Sequence, residues 1–498
     1  MNMLTKNNFW VRWKNNVIHS GVGWMICVST LVLFVCSSLR HFLFQSTALD
    51  LAVFDQWIYL TSQGLPPISS FFGFHMIGDH AAFILYLIAL PYRIYPDVHW
   101  LFFIQAFALG LGCLPIYTLG LQIGLSVTYA RTVAISYLLY PALFNINFFT
   151  DFRPEAIAVP AILWAMWAGI AGKNRQLIIA ITLVLICKDT LSLTVIAFGI
   201  WLWLSQDRRI YGIGCILAGV VWYFLTIGYL VPLLRGGEAG GVIFYNSLGD
   251  SPSQIISNII TNPGLILGKF FSPDTILYYL LLSLPVIIGL HWRQLITFLP
   301  ALPMLLLNVI SDYWAQRDLI HHYSLPIFPF IIVWLLRSLK QYQKENKRRW
   351  LKPHTLITWA VLMFLILGKY EFFITRYLSN LPNLDSLHTA VSLVPSQASV
   401  ITTSRIAPHV SQRPNIQLTN TNLNSAKISD QQFDYVLLDL NRNKKHNLEF
   451  NPDLLNELKN DQVFNLLYHK SSVYLFVKSQ VKKTDYQRKK EGLRTGIN

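Results

Sequence analysis

Apolar stretches long enough to cross the ~30 Å hydrocarbon core of a bilayer recur along the first three quarters of this chain. In lipid every backbone N–H and C=O must be satisfied within the protein, which leaves helices as the natural solution for segments of this length. Composition agrees: 53% of residues are hydrophobic, 13% are charged and the mean hydropathy is +0.42, well outside the range of soluble domains. The fold class is therefore an all-α polytopic membrane bundle. A net charge of +15 is not a nucleic-acid signal here, because much of it lies in short loops, where Lys and Arg mark the cytoplasmic side. The five cysteines are scattered singly through apolar segments, as small buried hydrophobes are.

Residues 21–43 read as the first span, preceded by Lys6, Arg12 and Lys14 and without a small-residue cleavage site, so it is an anchor rather than a removed signal. This makes the N-terminus cytoplasmic and turns the following loop, 44–80, outward. Residues 80–96 are apolar but short and interrupted by Pro91 and Arg93; they fit a surface or re-entrant helix. Spans follow at 100–123 and 132–148, one between Glu155 and Lys173, then two short antiparallel ones within 177–204. Later spans lie near 210–233, 276–290, 295–310, 324–339 and 356–373, for a count of about eleven. This topology places the dense basic run 340–352 inside, the strongest positive-inside signal in the chain; counting 80–96 as a full span would put it outside.

The transmembrane domain thus covers 1–378. From 379 to 480 the chain turns polar, and β-rich runs such as FDYVLLDL (433–440) and VYLFV (473–477) alternate with helix-like DLLNELKN. That pattern predicts a small α/β domain, extracytoplasmic because it follows the last span. Residues 481–498 form a charged tail expected to be disordered.

Polar clusters between spans carry the candidate chemistry. DLAVFDQW at 50–57 puts Asp50 and Asp55 just past the first span, where a charge is costly unless it meets water, a partner or a substrate. Five helical residues rotate by about 500°, so the two are not on one face and one of them can be structural. GDHAAF brings Asp79 and His80, either a helix cap or a pair for metal binding or proton transfer. NFFTDFRPEAIAVP (147–160) holds Asp151, Arg153 and Glu155; these can neutralise one another or, through Arg153, grip a phosphate or sugar. KDTLSLT sets Lys188 and Asp189 in an otherwise apolar run, an ion pair closing a hairpin or a functional group. Residues 311–326 carry Asp318, His321, His322 and Tyr323; adjacent histidines point in different directions, so one of them reaching the cavity is favoured over a shared ion. The RGGEAGG stretch within 235–250 reads as a mobile outer loop and lacks the lysine of a nucleotide-binding loop.

In this order, DLAVFDQ, GDH, DFRPEAIAVP, KDTLSLT and HHYSLPIFPF resemble a family of predicted prokaryotic multi-spanning membrane proteins (domain of unknown function 2079), which is similar to the GT-C glycosyltransferases. VPSQASVITTSRIAPHVSQRPNI and DYVLLDL extend the resemblance into the tail domain. The chain departs from the family's usual F-H-P-E at Arg153 and from its K-E-D at Asp189-Thr190, which puts a histidine-based role at the first turn in doubt and keeps one acid at the second. The resemblance implies a GT-C-like bundle that transfers a sugar from a polyprenyl-phosphate donor to an extracytoplasmic glycan, lipid or protein acceptor. It further implies Asp50, with Asp55 second, as catalytic base or metal ligand, a divalent metal (Mg or Mn) being left open. Lys188, Arg153, Glu155, Asp189, His322 and Tyr323 would then bind substrate or donor phosphate.

Two other readings compete. Polar residues within spans also mark the path of a lipid or polysaccharide transporter, against which stand the missing two-fold repeat and the gathering of charge at one face. A non-catalytic envelope assembly protein is the third. The expected home is the plasma (inner) membrane, multi-pass, with membrane lipid as a partner and no nucleic acid.

Overall fold

The computed structural model describes residues 21–238, 240–371, 373–431, 433–442 and 448–479; the basic N-terminal residues and the charged tail named above lie outside them. The chain divides into two compact units. One takes residues up to Ser38, Met76–Leu87 and His99–Tyr370; the other takes Leu39–His75, Ile88–Val98 and residues from Glu371 on.

The first unit is helical. Among the described residues six helices are long and apolar enough to cross a membrane: Val22–Phe42, His99–Gln122, Val127–Phe149, Pro154–Ala171, Arg209–Arg235 and Trp292–Ile310. Shorter apolar helices run over Asn174–Cys187, Leu191–Gln206, Pro353–Leu367 and Ile84–Ile94. The last has 11 residues, about 16 Å at 1.5 Å per residue, half of a hydrocarbon core. Asn174–Cys187 and Leu191–Gln206 flank the KDT turn as a hairpin, matching the expectation of two short antiparallel segments there. Leu191–Gln206 packs against Arg209–Leu225 at backbone distance: a Cβ on Gly199 would lie 2.5 Å from the carbonyl oxygen of Gly212. Without a hydrophobic drive between helices in lipid, such close approach through small residues is how they associate.

Polar side chains inside this unit find partners within it. Arg208 Nη1 donates to the Gly169 carbonyl at 3.1 Å, capping the C-terminal end of the helix Pro154–Ala171. Tyr140 Oη donates to the Leu282 carbonyl at 2.6 Å, and Asn308 Nδ2 donates to Tyr278 Oη at 2.9 Å.

The second unit is built on a five-stranded sheet, β1 Val400–Thr402, β2 Ile416–Leu418, β3 Tyr435–Asp439, β4 Phe464–Lys470 and β5 Val473–Lys478, in the order β2-β1-β3-β5-β4. β2, β1 and β3 are parallel, and β5 and β4 are antiparallel to their neighbours. β1, β3 and β5 are buried on both faces, which requires a layer on each side. One face, with Ile401, Val436, Leu438 and Phe476, is covered by Leu454 and Leu458 of the helix Leu454–Asn460. The other face, with Val400, Leu437 and Leu475, is covered by Leu387 and Ala390 of Leu384–Ser392 and by Phe44, Ala48 and Ala52. The first outer loop, grouped from the sequence with the transmembrane segments, is therefore packed into the unit of the C-terminal sheet. Ala48 and Ala52, four residues apart on the helical turn Ala48–Ala52, share one apolar face, and Phe44, in the turn before it, packs into the same core.

Candidate functional site

In the helical unit, three turns bring their charges together. Pro154 and Glu155 open the helix Pro154–Ala171, with proline where its missing N–H costs nothing. The turn before it carries Asp151 at φ 55°, a left-handed conformation that Asp tolerates better than most residues. It is held by the buried amide of Gln105, whose Nε2 donates to Asn147 Oδ1 at 3.1 Å and to the Asp151 carbonyl, while its oxygen accepts the Arg153 N–H at 2.9 Å. Glu155, 4% exposed, forms an ion pair with Lys188 from the KDT turn, and His322 Nε2 stands 3.7 Å from the same carboxylate oxygen.

The GDH turn joins from a third side. The Asp189 N–H donates to the His80 carbonyl at 3.0 Å, fastening KDT to GDH. Asp79 faces His80 Nε2 at 3.3 Å and Arg235 Nη1 at 3.5 Å. A glycine is required at 78, since a Cβ there would sit 3.0 Å from the Arg235 backbone nitrogen. Burial, with the charges of Arg153 and Lys188 next in order, holds the His322 imidazole well below its ordinary value, so it is neutral at pH 7 and donates or accepts one proton. Its Nδ1 is buried without a hydrogen-bond partner. Tyr323 stacks on it with ring centroids 4.0 Å apart. Its neighbour His321 turns elsewhere and bonds Asp318 at 2.6 Å.

Six of the residues singled out in the sequence thus fall in one cluster, with Glu155, Asp189 and His322 buried and Asp79, His80 and Lys188 partly so. Such a gathering of ionisable groups among apolar helices is costly, which makes it the candidate site of this unit. Among the described residues no three His, Cys, Asp or Glu side chains come together as a metal site; beside His80, Asp79 pairs with Arg235, a cation rather than an acid. Arg235 and Gln105 escaped the sequence reading. Arg235 ends an apolar helix within what reads as a mobile loop; in fact that segment is tied down, with the Asp312 N–H donating to the Phe244 carbonyl at 2.7 Å and Lys269 paired with Asp312 at 2.7 Å. Gln105 had a usable signal, a lone amide in the middle of WLFFIQAFALG.

In the sheet unit, Asp50 and Asp55 have different surroundings. Asp50 is partly exposed on the π-helical turn Ala48–Ala52, and Thr47 Oγ1 donates to its Oδ2 at 2.8 Å. Asp55 is 1% exposed and accepts from Tyr92 Oη at 2.7 Å, Ser411 Oγ at 2.6 Å and Gln412 Nε2 at 3.1 Å. Burial outweighs these three donors and pushes its carboxyl up to about 6.

Comparison with known proteins adds the following. The family described as "Predicted membrane protein (DUF2079)" matches residues 40–472. No curated protein matches the sequence. Among solved structures, ArnT from Cupriavidus metallidurans in the apo state superposes with a TM-score of 0.54 at 10% identity, covering 92% of this chain and 98% of that one. ArnT bound to undecaprenyl phosphate gives 0.52 at 10% identity, with 91% and 97% covered. The Archaeoglobus fulgidus oligosaccharyltransferase complex with Zn and sulfate gives 0.37 at 13% identity, an overlap too loose to carry an argument. These neighbours are GT-C fold glycosyltransferases, and the ArnT likeness over nine tenths of both chains identifies the fold as GT-C-like.

Proposed function

From a chain that belongs to the DUF2079 family of predicted membrane proteins, we propose an integral membrane glycosyltransferase that moves a sugar from a polyprenyl-phosphate carrier to an extracytoplasmic acceptor hydroxyl. One observation carries the reading: a GT-C-like fold whose similar structure ArnT is bound to undecaprenyl phosphate, together with Lys188, Arg153, Arg235 and neutral His322 gathered among apolar helices. The sugar–phosphate C–O bond breaks as the acceptor oxygen bonds to the same carbon, and the lipid phosphate leaves with its charge. Lys188 and Arg153 stabilise that charge, which a buried cation does far better than water. Glu155 holds the Lys188 ammonium in place until the anion arrives, and Tyr323 with His322 supplies uncharged polar contacts to the phosphate or sugar.

The acceptor hydroxyl gives its proton to a first-loop carboxylate. Asp50 suits this role, being partly exposed and oriented by Thr47, whereas a general base must reach the proton it takes. The protein is read as multi-pass in the plasma membrane, with about eleven crossings, the N-terminus cytoplasmic and the C-terminal domain outside.

The test is sugar transfer from a radiolabelled polyprenyl-phosphate pool in membranes containing the wild-type chain, Asp50→Asn or Lys188→Met. The expected result is transfer by the wild type and its loss, by about 10²-fold or more as for a removed base, in each variant at equal expression. Transfer undiminished in both variants overturns the reading.

A further inference from the structure

We propose that the loop joining β1 to β2 is the anchor that aims the first-loop carboxylate, and that Asp55 and Gln56 are positioning residues rather than a second catalytic pair. The inference rests on the reading of Asp50 as the base.

Asp50 sits in the middle of a π-helical turn, a conformation that rarely stands alone and often marks a functional position. Its two sides differ. Phe44, Ala48 and Ala52 are buried against the sheet, and two residues along a helical turn is about half a revolution, so Asp50 is carried on the face opposite to the anchored one. Both ends of the turn are fastened, and by the same segment. Before it, the Ala48 N–H donates to Ser404 Oγ at 3.3 Å, and Arg405 donates to Gln45 Oε1. After it, Asp55 accepts from Ser411 and Gln412, and Gln56 Nε2 donates to the carbonyls of Arg413 and Pro414 at 3.1 and 3.2 Å.

The fastening is saturated. The Gln56 amide oxygen accepts from Ser69 Oγ at 3.0 Å and the Ser70 N–H at 3.1 Å, while its nitrogen also donates to Ser70 Oγ. Ser70 in turn bonds both backbone groups of Ile416 on the edge strand β2. A group so enclosed cannot exchange protons with an acceptor, but it does fix the helix Val53–Ser62 that begins three residues after Asp50. Asp55 therefore acts through Asp50. A misplacement of about 1 Å in a base costs on the order of 10² in rate, which is the leverage such an anchor has.

The experiment uses the full-length protein in lipid nanodiscs. Amide exchange and the kcat and KM for sugar transfer from a polyprenyl-phosphate donor are measured in the wild type and in Ser411→Ala/Gln412→Ala. The anchor predicts that residues 45–56 exchange at least about tenfold faster and kcat falls by about 10- to 100-fold, with the donor KM unchanged and sheet and membrane helices protected as before. Ser411→Thr, which keeps the hydroxyl, should restore both. If strands also lose protection in the double variant, the milder Ser404→Ala gives the decision from the other end of the turn. Unchanged exchange over 45–56 in a folded variant overturns the proposal, as does faster exchange with full kcat while Asp50→Asn is inactive. Should Asp50→Asn itself transfer normally, the base assignment fails, and the exchange measurement still decides the anchor.

Discussion

Glu155 in the helical unit faces a cation, the ammonium of Lys188, with the neutral imidazole of His322 at 3.7 Å, whereas Asp55 in the sheet unit faces only neutral donors, two hydroxyls and an amide. Both are almost fully buried. A carboxylate matched by charge leaves that charge available to a passing anion, since Lys188 can trade one oxyanion for another. A carboxylate matched by hydroxyls has nothing to trade and serves to hold pieces together. The contrast separates a binding cluster from a fastening without appeal to which motif looks more conspicuous in the sequence.

The sharpest way to break the contrast is to remove one charge. Lys188→Met leaves Glu155 buried without its counter-ion, and breaking such a pair costs roughly 3–5 kcal/mol. Thermal unfolding in nanodiscs should show that loss along with the loss of transfer. Adding Glu155→Gln should recover most of the stability but none of the transfer, because the phosphate still lacks its cation. Recovery of both would mean that the pair is structural only.

Next in size is Asp55→Ala. It leaves the Tyr92 and Ser411 hydroxyls and the Gln412 amide buried without their acceptor, at about 1–3 kcal/mol per orphaned group and less than additively, so roughly 2–4 kcal/mol in all. Asp55→Asn keeps one acceptor oxygen and turns the other into a donor that Ser411 can meet by rotating its hydroxyl, for about 1 kcal/mol. Chemical denaturation followed by a probe on the sheet unit separates the two. Equal losses in both variants would mean that the charge, not the acceptor geometry, is what the site needs.

How much of this was legible beforehand depends on the range of the interaction. The helical character of the bundle, the KDT hairpin and strands within 433–440 and 473–477 follow from local hydropathy and β-branched runs, whereas of about eleven expected spans six appear among the described residues as helices long and apolar enough to cross. Lys188, Glu155 and His322 were visible singly because a charge in an apolar run is its own signal. That His322 rather than His321 meets Glu155 was not visible, since it depends on which side of a short 3-10 turn faces the helix Pro154–Ala171. Two of the three partners of Asp55 lie more than 350 positions away, and no periodicity within the first loop encodes Ser411 and Gln412. The spacing of Ala48 and Ala52 does encode an apolar face, but not that a sheet formed by the last hundred residues would receive it.

The pH dependence of the sheet unit sharpens the comparison further. Asp55 has its carboxyl raised from 3.8 to about 6, with Tyr92 and the charge of Asp97 among the titratable groups around it. A raised carboxyl binds its proton more tightly folded than unfolded, so the stabilisation is fully present below the unfolded value near 3.8 and is lost as pH climbs through about 6. About two units correspond to roughly 3 kcal/mol, read as denaturation midpoints of the sheet unit between pH 4 and 7. Asp55→Asn should flatten that slope. A slope that persists in the variant would assign it to another group.

The smallest effect expected is at His322. Its imidazole is held neutral by burial and by the nearby positive charges of Arg153 and Lys188, with His80 and His321 adding to them, while Glu155 at 3.7 Å favours the proton. The first set wins, so the ring carries no charge across pH 6 to 8 and contributes a hydrogen bond worth about 1 kcal/mol. His322→Gln should therefore lower transfer only about fivefold, the equivalent of that one bond, and leave the shape of the pH–rate curve between 6 and 8 unaltered. A limb near pH 6.5 that disappears in the variant would show instead that Glu155 governs the histidine, and that the cluster holds a charged imidazole beside Lys188 rather than a neutral one.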